Sequence, residues 1–158
     1  MSASVLLALR LPVHARMPRN MDITLNLSYA PSVNRIWRRG RHATYKDKKA
    51  VAFEAVVLAE RYRLFPNTDV LFPAGTGVEV RVILHPRLTK LVAKKPELFD
   101  PLTVVRLDID APIKTLFDAM QNALIYDNDK QIISMSSRVG RPVQDGGLTV
   151  SLTEANWN

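Results

Sequence analysis

Residues 108–132 read DIDAPIKTLFDAMQNALIYDNDKQI, and this stretch predicts one helix with aspartates at both of its ends. Asp110 is suited to cap the helix, and Pro112 fits in the first turn, where its missing N–H has no partner to lose. Apolar side chains then recur at helical spacing, at Ile113, Leu116, Phe117, Met120, Ala123 and Leu124. The stretch therefore predicts an amphipathic helix followed by a polar turn at residues 127–129.

Four segments outside this helix have the composition of β-strands. Residues 22–28 and 77–84 alternate polar and apolar side chains, as half-buried strands do. Residues 131–138 and 147–153 are predicted to pair as a hairpin across a loop that contains Gly and Pro. One strand therefore opens the chain, one lies in its middle and two close it.

Residues 47–64 contain no Gly or Pro and are rich in Ala, Glu and Lys, which predicts another helix. Asp47 lies where its N-cap is expected. The predicted apolar face of this helix consists of Val51, Ala55, Leu58 and Tyr62. Residues 86–103, which include three prolines, predict a long mobile loop.

The order of these elements is β-α-β, a long loop, and then α-β-β. Strands and helices mixed without strict βαβ alternation predict an α+β fold, with a small mixed sheet of about four strands and two main helices on one of its faces. We interpret residues 1–20 as an N-terminal extension and residues 21–158 as one domain. The apolar run at residues 5–9 is far shorter than the roughly 20 residues that cross a bilayer, so no membrane segment is predicted.

Basic residues are concentrated in the first part of the chain. Residues 1–63 carry twelve basic and four acidic side chains, whereas residues 64–158 carry ten basic and eleven acidic ones. The formal net charge of +7 favours an anionic partner, with nucleic acid before a membrane surface. The absence of cysteine excludes disulfides and thiolate metal sites and is consistent with the cytoplasm.

The densest basic stretch, residues 34–49, supplies the candidates for contact with DNA. They are Asn34, Arg35, Arg38, Arg39, Arg41 and Lys46. The interleaved Trp37 fits either of two places, stacked on an exposed base or buried in a core or interface. A solvated charged face is the ordinary alternative for such a basic run.

Three aspartates are candidates for binding a metal ion. Asp108 and Asp110 are two residues apart, and in extended backbone such side chains point to the same side. Asp129 lies in the turn after the helix. Carboxylates suit Mg²⁺ or Mn²⁺, and the few histidines argue against zinc. Turn and capping roles explain the same aspartates without any metal, and Lys114 and Asp118 have the spacing of a surface ion pair.

Three ordered segments resemble the central signature of the RusA family of Holliday-junction resolvases. They are residues 108–114 (DIDAPIK), 117–120 (FDAM) and 126–132 (YDNDKQI). Residues 31–35 (PSVNR) are similar to the family's opening after its first strand. The resemblance covers residues 22–154, and its central part is specific because both the order and the spacing of the segments agree.

The resemblance implies a Mg²⁺-dependent endodeoxyribonuclease, with Mn²⁺ able to substitute, that resolves four-way DNA junctions by paired symmetric phosphodiester hydrolysis in recombination and repair. It implies that Asp108, Asp110 and Asp129 are the metal ligands and that Lys114 is catalytic alongside them. Asn128 stands where the family has an acid. The implied partners are branched DNA and a second copy of the chain in a homodimer, with no membrane and no small-molecule substrate, in the cytoplasm of a bacterial or phage-infected cell.

Two other functions fit the same residues. A non-catalytic module would bind branched DNA and use the aspartates only structurally, and a broader nuclease would cut flaps and Y-forms as readily as four-way junctions. A glycosidase would also use paired carboxylates, but it would leave the basic stretch unexplained. Metal-dependent cleavage of a synthetic junction separates these possibilities.

Overall fold

Four strands form the central sheet of the computed structural model. They are β1 (Asp22–Leu27), β4 (Gly77–His85), β5 (Ile132–Val139) and β6 (Gly147–Ala155). Their order across the sheet is β1-β6-β4-β5, and β6 runs antiparallel to both of its neighbours whereas β4 and β5 run parallel. The structure describes residues 21–31, 37–41, 43–67, 69–102 and 108–156. The predicted α+β class with a mixed four-stranded sheet is confirmed.

The predicted hairpin between the last two strands is wrong. β6 lies between β1 and β4, and β5 pairs with β4 at the edge of the sheet. The side chains explain this arrangement, because Leu148, Val150 and Leu152 of β6 are all buried whereas β5 is largely polar and partly exposed. A central position buries more apolar area than an edge position, so the more apolar of the two strands takes it.

A second, separate pair of short strands lies in the stretch that the sequence marks only as a basic loop. β2 (Trp37–Arg39) and β3 (Thr44–Lys46) form an antiparallel hairpin, which we call the basic hairpin. The backbone N–H of Gly40 donates to the carbonyl of Ala43 at 2.8 Å and closes its turn. Every described residue of the two strands is exposed or only partly buried, so the hairpin adds nothing to the apolar core.

Helix α1 (Lys48–Leu64) has the predicted bounds, and the side chain of Asp47 caps it by accepting from the N–H of Lys49 at 2.9 Å. The predicted apolar face of α1 is wrong. The buried side chains are Ala50, Phe53, Val57 and Arg61, whereas Val51, Leu58 and Tyr62 are exposed. Apolar residues surround this helix on all sides, so periodicity alone does not select a face, and the large Phe53 ring packs inward.

Arg61 is fully buried although it is charged, because its guanidinium lies among backbone carbonyls at the end of α1. It donates to the carbonyl oxygens of Phe65, Asn67 and Asp69. A cation near the carboxyl end of a helix also interacts favourably with the helix dipole. Arg61 therefore holds the connection that follows α1, a role that its position in the sequence does not reveal.

Helix α3 (Ile113–Asn122) begins two residues after the predicted start, with Pro112 rather than Asp110 at its N-cap. Its buried side chains include Leu116, Ala119 and Met120, which confirms the predicted apolar face over most of its length. Leu124, the last predicted member of that face, is exposed and adopts a positive φ of 58° where the chain leaves the helix, so its predicted place on the apolar face is wrong.

A short helix interrupts the segment predicted as a long mobile loop. This is α2 (Lys90–Lys94), which Thr89 caps and which a 3₁₀ turn at Pro96–Leu98 follows. α1 and α3 pack against each other and share one core with the sheet. The chain thus has three α-helices in its described part, and none of them is long and apolar enough to cross a membrane. The proposed extension at residues 1–20 lies outside the described residues.

Candidate active site

A 3₁₀ turn at Asp129–Gln131 connects the end of the α3 region to β5 and carries Asp129. The Asn128 side chain caps this turn by accepting from the N–H of Lys130 at 2.9 Å. In return, Gln131 Oε1 accepts from the N–H of Asn128 at 2.9 Å, which completes a capping box. Asn128, the residue that departs from the family's acidic pattern, is thus the N-cap of the turn.

The side chain of Gln131 fastens this turn to the connection before β4. Its Nε2 donates to the carbonyl oxygens of Phe72, Pro73 and Thr76 at 3.0, 2.8 and 3.0 Å. Gln131 is buried, and its bond to Phe72 lies inside the protein, where water does not compete for it. These interior contacts of Gln131 therefore set the position of the turn that carries Asp129. Sequence reasoning used Gln131 only as part of a family motif and missed this role.

Lys114 lies between two carboxylates at the surface. Its Nζ donates to Asp118 Oδ1 at 2.8 Å and to Asp129 Oδ2 at 3.4 Å. The hydrogen bond to Asp118 raises the pKa of Lys114, and the contact with Asp129 raises it further. All three side chains are more than a third exposed, so water screens the attraction. The structure therefore brings together two of the predicted site residues, Lys114 and Asp129, and adds Asp118.

Tyr126 lies beneath these charges as an uncharged, buried group. Its hydroxyl donates to the carbonyl of Phe117 at 2.7 Å. Burial raises the pKa of Tyr126, and the negative charges of Asp129 and Asp118 raise it further. The phenol therefore stays protonated, and Tyr126 lies beneath Asp118 and Asp129 as an uncharged side chain. The spacing of residues in the sequence does not indicate this role of Tyr126, which is only a near neighbour of the turn that carries Asp129.

Asp108 and Asp110 occupy a tight turn that leads into α3. The N–H of Ala111 donates to the carbonyl of Asp108, and the N–H of Ile113 donates to that of Asp110, both at 3.1 Å. Both aspartates are exposed, and among the described residues their carboxylates have no hydrogen bond or ion pair. Because Pro112 occupies the cap position, the Asp110 carboxylate is not used to cap the helix as the sequence predicts.

No group of three or more acidic, histidine or cysteine side chains lies close enough to hold a metal ion in the part of the chain that the structure describes. The structure therefore does not gather Asp108, Asp110 and Asp129 into a ready metal centre. Their chemistry still fits a hard divalent cation, since carboxylate oxygens are the ligands such cations take. Metal ligation by these three residues remains a prediction.

The candidate DNA contacts fall into three groups. Asn34 and Arg35 lie outside the described residues. Arg38 and Lys46 are engaged in ion pairs, Arg38 with Asp47 at 2.7 Å and Lys46 with Glu54. Arg39 and Arg41 are exposed, and within the described ranges they have no ion pair. The structure thus leaves Arg39 and Arg41 as the basic side chains of the predicted set that face solvent without a carboxylate partner.

The ion pair of Lys46 also connects the basic hairpin to the helix that carries Lys114. Glu54 of α1 accepts both from Lys46 and, at 3.2 Å, from Asn122 Nδ2 at the end of α3. The hairpin, α1 and α3 therefore meet at one carboxylate. This contact places Lys46 of the basic hairpin beside the end of α3, a neighbourhood that the sequence alone does not give.

A family profile described as endodeoxyribonuclease RusA matches residues 28–153, which is most of the chain. The chain belongs to the RusA endodeoxyribonuclease family. The predicted nuclease class is thereby confirmed, and the acidic turn, Lys114 and the basic hairpin all lie inside the matched range. No individual curated protein matches the chain closely enough to be compared with it.

Proposed function

We propose that this RusA-family chain resolves four-way DNA junctions by Mg²⁺-dependent hydrolysis of one phosphodiester in each of two symmetric strands. The observation that carries the proposal is the exposed contact of Lys114, at the start of α3, with Asp129. Asp108 and Asp110 lie in the turn that leads into the same helix. A lysine and a carboxylate at a solvent-accessible surface, on elements fixed by buried hydrogen bonds, form a suitable place for a phosphate and its counterions.

Asp108, Asp110 and Asp129 would hold the metal ion. Two of these carboxylates have no competing partner among the described residues, and the third contacts only the flexible ammonium group of Lys114. Bound Mg²⁺ would polarise the scissile phosphate and lower the pKa of a water molecule. Mn²⁺ prefers the same oxygen ligands and is expected to substitute.

Lys114 supplies a positive charge that belongs to the protein, in addition to that of the metal ion. Its ammonium has three donors, of which Asp118 takes one and Asp129 makes a longer contact. A remaining donor is available to a phosphate oxygen, where it would offset the negative charge that increases in the transition state. Asp118 holds the lysine stem in place from the next turn of the same helix, so it acts on the reaction through Lys114.

The exposed guanidinium groups of Arg39 and Arg41 would contact the DNA backbone. Phosphate contacts of this kind give affinity and position without reading the sequence, and they weaken as salt concentration rises. A four-way junction has approximate two-fold symmetry and needs two matched cuts, so we propose a homodimer that presents two sites. Sedimentation that shows only monomer at micromolar concentration would contradict the dimer.

The test is cleavage of a synthetic four-way junction by the purified wild-type chain in Mg²⁺, in Mn²⁺ and in a chelator. Linear duplex, flap and Y-form substrates of the same sequence serve as controls. We expect paired cuts in the four-way junction with either metal and none with the chelator. Binding without cleavage in either metal would favour a non-catalytic module. Equal cutting of flaps and Y-forms would favour the broader nuclease.

A further inference from the structure

Two aromatic rings of the basic hairpin are exposed to solvent. Trp37 is 61% exposed and Tyr45 is 55% exposed. Scattered exposed apolar residues are common, but two large rings within one hairpin of ten residues leave an unusual amount of apolar surface in water, which costs free energy. The alternative for Trp37 that the sequence left open, burial in the core, is therefore excluded.

The pairing register places the two rings on opposite faces of the hairpin. Trp37 pairs with Lys46, and Tyr45 pairs with Arg38. Directly paired residues share a face and successive residues alternate, so one face carries Trp37, Lys46 and Arg39 and the other carries Tyr45 and Arg38. The Tyr45 ring also lies against the turn, since a Cβ added at Gly40 would be 3.3 Å from its Cε1 atom.

The basic side chains of the hairpin fall into two groups, those that form ion pairs with the protein and those that do not. Arg38 is paired with Asp47, the N-cap of α1, and Lys46 with Glu54 inside that helix, and these two ion pairs connect the hairpin to α1. Arg39 and Arg41, on either side of Gly40, have no ion pair in the described part of the chain. Exposed rings beside unpaired arginines match a ligand that combines flat apolar faces with negative charge.

We infer that the basic hairpin recognises unstacked bases of branched DNA, with Trp37 and Tyr45 as two stacking surfaces and Arg39 and Arg41 on the adjacent phosphates; this inference rests on the proposed function. Inside a continuous duplex both faces of every base are covered by its neighbours. Base faces become available where stacking is interrupted, as at a branch point, and aromatic side chains then bind them with little dependence on sequence.

The position of the hairpin relative to Lys114 fits this role. Glu54 links Lys46 of the hairpin to Asn122, and Asn122 and Lys114 lie on the same helix. They are eight positions apart, which corresponds to about 12 Å along the axis at 1.5 Å per residue. This distance equals about three to four base steps of a DNA strand. The hairpin therefore contacts α3 at the end opposite Lys114, and a DNA strand that runs along this helix from the hairpin would bring a phosphodiester a few nucleotides away to Lys114.

The test compares binding to a four-way junction with binding to a linear duplex of the same sequence, in a chelator so that no cleavage occurs. The variants are Trp37→Ala, Tyr45→Ala and the conservative Trp37→Phe. Leu91→Ala serves as the matched control, because Leu91 is 60% exposed on α2. A base placed on an aromatic ring strengthens binding by about tenfold, so each alanine variant should weaken junction binding by about that factor.

Linear duplex binding should change by less than about twofold in the same variants, and Trp37→Phe should retain junction binding. The fluorescence of 2-aminopurine placed at the branch point should fall when wild-type chain binds and should remain high with Trp37→Ala. Equal loss on both DNAs, or no loss on either, would overturn the inference. A shift of the alanine variants to a smaller oligomer would also overturn it, since the rings would then contact a second copy of the chain.

Failure of the proposed function and failure of this inference give different experimental results. If wild-type chain binds junctions through Trp37 and Tyr45 but never cuts them in Mg²⁺ or Mn²⁺, the proposed nuclease activity fails and the inference stands. If wild-type chain cuts junctions and the alanine variants bind both DNAs as wild type does, the activity stands and the inference fails.

Discussion

The 3₁₀ turn at Asp129–Gln131 and the basic hairpin both carry charged residues that stand out in the sequence, but the protein holds them in different ways. Hydrogen bonds of the buried Gln131 side chain fix the turn to a segment 55 to 59 residues away. The hairpin is held to α1 by ion pairs of Arg38 and Lys46, and its side chains are exposed or only partly buried. The 3₁₀ turn is therefore rigidly held, and the basic hairpin is loosely attached.

This difference matches what each region is proposed to do. Groups that take part in a reaction must be placed to within a fraction of an ångström, because small displacements reduce rates severely. A surface that contacts a DNA backbone only needs charge and approximate position. Hydrogen bonds in the interior give the first property, whereas exposed ion pairs, which contribute only about 0–1 kcal/mol each, permit the second.

The largest effect on stability should follow from removing the Gln131 side chain, which anchors the turn to the rest of the protein. Gln131→Ala leaves the N–H of Asn128 and three backbone carbonyls without this partner, so it should lower the free energy of unfolding by about 2–3 kcal/mol. Displacement of Asp129 should also slow junction cleavage by about a hundredfold. Denaturant unfolding and single-turnover cleavage measure the two effects.

Gln121→Ala is the matched control, since Gln121 lies on α3 and its side chain has no hydrogen bond within the described residues. It should unfold and cut as wild type does. If Gln131→Ala were as stable and as active as Gln121→Ala, the turn would not depend on its buried amide.

A moderate effect is expected from the exposed arginines of the hairpin. Arg39→Ala combined with Arg41→Ala should reduce the slope of log affinity against log salt by about two, because each lost phosphate contact removes about 0.9. Stability should not change, since neither side chain packs in the core. Junction binding measured over a range of salt concentrations tests this. Arg63→Ala, which removes an exposed arginine paired with Glu60, should leave the slope unchanged.

A smaller effect is expected from loosening the hairpin. Glu54→Gln removes the charge that Lys46 contacts, and this partly exposed pair should contribute less than about 1 kcal/mol to stability. Junction affinity should fall by a few-fold at most, with cleavage retained. Glu60→Gln removes a comparable pair on α1 that does not contact the hairpin, and it should leave DNA affinity unchanged. A collapse of stability in Glu54→Gln would show that the hairpin is not loosely attached.

The smallest effect should come from restoring the family's acid in the turn. Aspartate caps a helical turn about as well as asparagine, so Asn128→Asp should change the free energy of unfolding by less than about 0.5 kcal/mol. Asn128→Ala removes the cap and should cost about 1 kcal/mol. Thermal unfolding of the two variants compares them directly. A larger loss with aspartate than with alanine would mean that repulsion from Asp129 outweighs capping.

The local features of the fold were predictable from the sequence. The bounds of α1 follow from the Asp47 cap and an uninterrupted run of helix formers, and β1 and β4 follow from alternation of polar and apolar residues. The apolar face of α3 was also predictable, because its apolar residues lie on one side only.

Features that depend on distant contacts were not predictable in this way. The place of β6 in the sheet, the buried face of α1 and the acceptors of Gln131 are set by residues far away in the chain. The same holds for the site. Asp129 and Lys114 could be named from a motif, but the partners of Lys114 and the support from Tyr126 required the structure.

The central claim is that the exposed aspartates before α3 serve hydrolysis and not folding or DNA binding. The measurement that tests it most directly is the rate of four-way junction cleavage by Asp110→Asn, with junction affinity measured in parallel. Asp127→Asn is the control, because Asp127 is an exposed aspartate in the nearby turn that is not assigned to the site.

We expect Asp110→Asn to cut at least about a thousandfold more slowly than wild type, which corresponds to losing several kcal/mol of metal-dependent stabilisation. Its junction affinity should match wild type, and Asp127→Asn should cut normally. Wild-type cutting by Asp110→Asn, or loss of DNA binding in its place, would contradict the account.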